Sequence, residues 1–87
     1  MLSKTSLIQL NRLDPLLIQR IKATIKTLEE NPFQNRSGTD IKKLITVNEP
    51  PLFRLRVGDY RIIYFVIEDE IRITEIIHRS KGYKWLN

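Results

Sequence analysis

The chain has 87 residues, 41% of them apolar, with fifteen Lys and Arg against ten Asp and Glu and a net charge of +5. That length fits one domain, residues 1–87, with a modest core, and the apolar share is too high for a disordered tail. With no cysteine, one histidine and no acidic cluster at ligand spacing, disulfides and thiolate metal sites are excluded, and no metal or other cofactor is expected.

The positive balance favours a polyanionic partner: nucleic acid, an anionic surface or an acidic protein. Charge alone does not choose among them. The apolar run 62–67 is far too short to span a bilayer, and no apolar segment followed by a small-residue cleavage site marks a secretory signal. A soluble, cytoplasmic protein without membrane contact is the expectation.

In chain order, Ser3 or Thr5 caps a short helix on which Leu7, Leu10 and Leu13, with Ile8 beside them, share a face. Asp14-Pro15 ends that helix and starts the next, Asp as N-cap and Pro at the first helical position. Ile18, Ile21, Ile25 and Leu28 then form an amphipathic stripe, stopped by Asn31-Pro32. Two helices joined so closely predict an αα-hairpin. Residues 33–40, with Ser37-Gly38, read as a loop, and 41–45 as a short strand or an extended connector. Residues 48–51 end on Pro50-Pro51, which removes two backbone donors and forbids regular structure.

A strand follows over 52–57. Its alternation places Phe53, Leu55 and Val57 on one face and Arg54 and Arg56 on the other. Gly58-Asp59 makes a turn, and 60–67, β-branched and aromatic, has the composition of a central strand covered on both sides. Glu68-Asp69 turns the chain into a last strand over 70–78, with Ile71, Ile73 and Ile77 on one face and Arg72, Thr74, Ile76 and His78 on the other. Helices followed by a strand meander predict an α+β fold, the helical hairpin packed on one face of a small antiparallel sheet. The other face would carry Arg54, Arg56 and Arg61.

Arginine stays protonated in proteins and offers a planar fork of donors suited to phosphate oxygens. Three of them on one sheet face form a candidate phosphodiester clamp, or else a solvated face that keeps the sheet soluble. Residues 78–85 mix cations with rings: His78, Arg79, Lys81, Tyr83, Lys84 and Trp85. That mixture suits RNA, stacking on unpaired bases while holding phosphate, though the rings would equally serve to cover a core edge. His78 alone has an ordinary pKa near neutrality, which makes it a candidate acid or base as well as a structural hydrogen-bonder. Phosphate-loop glycines, a serine nucleophile elbow and paired catalytic carboxylates are absent.

Three segments together resemble the RelE/ParE superfamily of toxins from type II toxin–antitoxin pairs, over most of the chain. They are Leu10-Asn11-Arg12-Leu13-Asp14-Pro15 leading to Leu28-Glu29-Glu30-Asn31-Pro32-Phe33, then Phe53-Arg54-Leu55-Arg56-Val57-Gly58-Asp59-Tyr60-Arg61-Ile62-Ile63-Tyr64, and finally His78-Arg79 followed by Tyr83. The last segment is more similar to the RelE branch than to gyrase-directed ParE members, which close on a His-Gly-Ala-Arg-like segment. The RelE resemblance implies a ribosome-dependent, metal-independent endoribonuclease that cuts messenger RNA in the ribosomal A site through its 2′-hydroxyl and so inhibits translation. It implies Arg54, Arg56, Arg61, Arg79 and Tyr83 as catalytic residues, with His78, Lys81, Lys84 and Trp85 holding RNA, and a cognate antitoxin as partner. The alternative is a non-catalytic ParE-like gyrase inhibitor, or an inactive homologue that only binds its antitoxin.

Two departures stand out. The family's first strand is short or missing here, which would leave a sheet edge exposed. Arginines replace lysines at 54 and 56, and since arginine does not yield a proton, the base would be His78, Lys81 or Lys84.

Overall fold

Ser3 opens the first helix as its N-cap, the Oγ accepting from the Ser6 N–H at 3.0 Å, and α1 spans Lys4–Asn11. Asp14 caps the second in the same way, accepting from the Leu16 N–H at 2.8 Å with Pro15 at the first position, and α2 spans Pro15–Leu28. These capping contacts belong to a computed structural model that describes residues 2–33, 40–44 and 50–81. The strands are β1 (Asp40–Lys43), β2 (Phe53–Val57), β3 (Tyr60–Ile67) and β4 (Glu70–His78), followed by a single 3-10 turn, Arg79–Lys81. They form one sheet in the order β1-β2-β3-β4, antiparallel throughout. Two helices followed by an antiparallel meander give the expected α+β fold. The segment from 41 resolves as a strand to Lys43, while Ile45, residues 34–39, Tyr83, Lys84 and Trp85 lie outside the described residues.

The helix-facing side of the sheet builds the core. Phe53, Leu55 and Val57 stand opposite Tyr64, Ile62 and Tyr60 on β3. Ile41, Ile73 and Ile76 extend the layer on either side, and Leu10, Ile21 and Leu28 close it from the helices. Each fully buried Leu or Ile contributes about 1.5–3 kcal/mol of transfer free energy. On β3, Ile62, Ile63 and Tyr64 are all fully buried, as befits an interior strand covered on both sides.

Three sequence expectations need correction. Leu7 is 46% exposed and Ile8 47%, so neither faces the core. The packed row of α1 instead runs through Ser6 and Leu10, because Ser6 Oγ donates to the Ile73 carbonyl at 3.1 Å and fixes the helix against β4. In β4, Ile76 rather than Ile77 joins the core. Ile63 pairs with Glu75 but Tyr64 with Ile73, so Thr74 is an extra residue, a β-bulge that reverses the alternation after it.

The third correction concerns the sheet edge. The family's first strand is reduced to one bridge, Leu2 parallel to Ile73. Yet β4 is not bare there: Ser3 N–H donates to the Ile73 carbonyl at 2.9 Å, Ser3 Oγ to the Thr74 carbonyl at 3.0 Å, and Gln9 Oε1 accepts from the Ile76 N–H at 2.6 Å. Side chains of the N-terminal turn and α1 take the place of a strand's backbone, blocking addition of another strand at 73–76.

Tyr64 explains the Asn31-Pro32-Phe33 motif. Its phenol donates to the Pro32 carbonyl at 2.5 Å, and its ring stacks on Phe53, which Phe33 also meets at 5.2 Å. Burial pushes the phenol well above its ordinary value of 10.0. The native state therefore keeps this proton where the unfolded chain has lost it. Tyr64 contributes its full stability below about pH 10 and loses it as pH rises towards the raised native value. Tyr64→Phe should cost about 1 kcal/mol at neutral pH, from the lost hydrogen bond. It should also flatten the fall in stability above about pH 10 relative to the parent. Urea melts of the two proteins across alkaline pH measure both effects.

Candidate functional site

The site is built around the turn joining β2 to β3. Val57 and Tyr60 pair directly, leaving Gly58-Asp59 as a two-residue connection. Gly58 has φ +57, the glycine-first turn that matches strand twist. The register this turn sets puts Arg56 directly opposite Arg61 and Arg54 opposite Ile63. Phe53, Leu55 and Val57 being in the core, all three arginines stand on the far face, as the alternation predicts.

The three differ in what holds them. Arg54 Nη2 meets Asp40 Oδ1 at 2.7 Å with the side chain only 15% exposed, which ties β1 to β2 and offsets the charge. Its Nε is buried without a partner. Arg56 is exposed and has no carboxylate within 4.0 Å among the described residues. Arg61 is half-buried, its Nη1 donating to the Tyr60 carbonyl at 3.3 Å and, at a long 3.5 Å, to that of Gly58. Like charges directly opposite on a sheet repel. The Arg56–Arg61 pair thus carries a standing cost that an anion between the two guanidiniums would relieve.

Arg79 comes to the same turn from the far end of β4. Its backbone N–H donates to the Asp59 carbonyl at 2.7 Å and its Nε lies 3.6 Å from Asp59 Oδ1. His78 pairs with Tyr60 and so lies on the helix-facing side, away from Arg54, Arg56 and Arg61, its ring edge-on to Tyr60 at 5.2 Å. Nδ1 accepts from the Ser80 N–H at 3.2 Å, and Ser80 Oγ sits 2.9 Å from it. With Nδ1 an acceptor, the neutral ring carries its proton on Nε2. Lys81 is exposed at the end of the 3-10 turn.

Two residues escaped the sequence reading. Glu75 stands on the arginine face opposite Ile63, diagonal to Arg61, and its Oε2 is enclosed without a hydrogen-bond partner. The bulge at Thr74 put it there, and nothing in the alternation signals a bulge. Arg20 of α2 reaches the turn from the other side: a Cβ built on Gly58 would lie 3.2 Å from its Nη1. Its place on the polar side of an amphipathic helix gave no hint of that contact. No three His, Cys, Asp or Glu side chains gather into a metal site among the described residues. No helix among them is long and apolar enough to cross a membrane.

The sheet of this α+β domain opposes two arginines across a glycine turn, a candidate anion site. Comparisons with known proteins show its family. A family model described as the ParE toxin of the type II toxin–antitoxin system parDE matches residues 3–83. A Methanocaldococcus jannaschii protein named "Putative toxin RelE1" is 35% identical over 83 residues, covering 93% of this chain and 89% of its own length. The crystal structure of a RelB–RelE antitoxin–toxin complex from Methanococcus jannaschii superposes with TM-score 0.74 at 28% identity, over 100% of this chain and 99% of that one. An archaeal RelE–RelB complex from Pyrococcus horikoshii OT3 gives TM-score 0.78 at 28% identity, over 93% of each chain. The chain belongs to the RelE/ParE family of toxins from type II toxin–antitoxin systems.

Gly58 is the position this site can least exchange. A side chain there would adopt a left-handed conformation costing about 1–2 kcal/mol and would press on the Arg20 guanidinium. Gly58→Ala should lower Tm by roughly 5–10 °C, measured by calorimetry.

Proposed function

We propose that this chain is the toxin of a RelE-like pair, a cytoplasmic endoribonuclease that cuts messenger RNA held in the ribosomal A site and so inhibits translation. The observation that carries this reading is the Arg56–Arg61 pair: two arginines opposed in register on one sheet face, neither with a carboxylate within 4.0 Å among the described residues. The 2′-oxygen attacks the adjacent phosphorus while the bond to the 5′-oxygen breaks, leaving a cyclic 2′,3′-phosphate and a 5′-hydroxyl. Arg56 and Arg61 hold the scissile phosphate and offset the charge that gathers on its oxygens. Arg54, fixed by Asp40, orients the backbone. Arg79 steadies charge at the leaving 5′-oxygen.

The attacking hydroxyl must also lose a proton. The carboxylate beside the arginine pair is Glu75, with Oε2 unengaged, whereas Asp40 is taken up by Arg54. His78, on the helix-facing side with Nδ1 occupied, is not placed to take that proton, and the leaving 5′-oxygen takes its own from solvent. Tyr83 stacks on a base or orients the 2′-hydroxyl, and Lys81, Lys84 and Trp85 hold flanking RNA. A ribosome that presents the message already distorted would reduce the acid–base work left to the protein.

The cognate partner is an antitoxin. Support comes from the two solved neighbours, both RelE–RelB complexes. The match to a ParE model supports a second reading, a gyrase inhibitor that leaves RNA intact and breaks DNA.

Arg61→Ala should slow cleavage of translated messages about 100- to 1,000-fold, the usual cost of losing a transition-state donor. Primer extension on messages in a translation extract reads this directly. Full cleavage by the variant would remove the central assignment, and intact RNA with broken DNA from the parent would favour the gyrase reading. Glu75→Gln should slow single-turnover cleavage by about 100-fold or more while leaving ribosome binding unchanged.

A further inference from the structure

The cationic surface does not stop at the sheet. We propose that Arg20, with Arg79, forms a second phosphate subsite at the Gly58-Asp59 turn, so that an RNA strand bound at Arg56 and Arg61 continues over the turn onto α2. The inference rests on the RNA-directed reading above and extends it to a helix that carries none of the family's matched motif residues at this position.

Three observations carry it. First, Arg20 lies over the turn: Nη1, Cζ and Nη2 fall 3.2, 3.8 and 4.0 Å from a Cβ built on Gly58. A side chain at 58 would press on this guanidinium and displace it by a few tenths of an ångström. Second, the arginines converge on two residues. Arg61 Nη1 reaches the Gly58 carbonyl, Arg79 is bonded through its backbone to the Asp59 carbonyl, and Arg20 covers Gly58 from the helix side. Third, the charge is not balanced. Among the described residues the carboxylate at the turn is Asp59, 63% exposed and 3.6 Å from Arg79 Nε, a surface pair worth little. Arg20 has no Asp or Glu within 4.0 Å among the described residues. Here its fork rests on a turn whose far side leads to Arg61, and successive phosphates of one strand can meet the two faces in turn.

The test is the salt dependence of binding of a short single-stranded RNA to the full chain, followed by fluorescence anisotropy. Each phosphate contact contributes about 0.7 to the slope of log K against log salt for single strands. Arg20→Ala should reduce the slope by about 0.7, and Arg20→Lys should restore most of it. Lys26→Ala removes the same charge from the same helix and should leave the slope in place. Equal losses from Arg20→Ala and Lys26→Ala would mean net charge alone and overturn the subsite. An unchanged slope in Arg20→Ala beside a reduced one in Arg61→Ala would overturn it too, with the RNA-directed reading intact. No effect of either arginine, or no binding at all, would end both. A slope lost in Arg20→Ala while the parent leaves translated messages uncut would keep the subsite and end the cleavage reading. Circular-dichroism melts of each variant confirm the fold, which an exposed Arg20 should not disturb.

Discussion

The candidate site depends on the pairing of β2 with β3. A two-residue turn with glycine in a left-handed conformation fixes which residues of the two strands stand opposite. Slip that register by one residue and every side chain changes face. Phe53, Leu55 and Val57 would leave the core, and the arginines would be driven into it. Core formation and the placement of charge are therefore one decision. The apolar face supplies the free energy that holds Arg56 against Arg61 despite their repulsion.

How far the sequence could be read follows from which signals are local. The helix caps at Ser3 and Asp14, the stop at Asn31-Pro32, the strand alternation in 53–57 and the turn at 58–59 are all written within a few residues, and the structure has them there. Arg54, Arg56 and Arg61 could be assigned to one face by parity alone. Parity failed in β4, because a bulge is an insertion relative to a partner strand, and the partner's spacing is not visible in the strand's own pattern. That one residue moved Ile76 into the core and Glu75 onto the arginine face. Leu7 misled for a related reason. Apolar periodicity cannot show that a serine will bond the sheet edge and turn the helix about its axis. Arg20 was hidden because a contact between α2 and a distant turn has no local signature.

The N-terminal turn shows how a sheet edge can be satisfied without a full bordering strand. Leu2 makes a single bridge to Ile73, and the outward-facing groups of Ile73, Thr74 and Ile76 are each met by Ser3, Ser6 or Gln9. Side-chain amides and hydroxyls satisfy the edge as a strand's backbone would, and they do not present a further edge in turn.

Charge follows the same axis as the chain. The turn at 58–59 lies at one end of β3 and the turn at 68–69 at the other. Arg20, Arg56, Arg61 and Arg79 belong to the first end. At the second, a cavity of about 380 Å³ is lined by Glu29, Asp69 and Glu70 around Ile25 and Ile71. Helix α2 repeats this polarity, with Arg20 over the first turn and Glu29 beside the second. The second end is not purely acidic, since Arg72 lies 3.7 Å from Glu70, so any orienting effect on the proposed RNA partner would come from the arginine end being drawn in. Steering of this kind adds no contact and lowers no barrier in the chemistry. It raises the share of encounters that arrive with the β2–β3 turn foremost, and that turn is where the guanidiniums are already held.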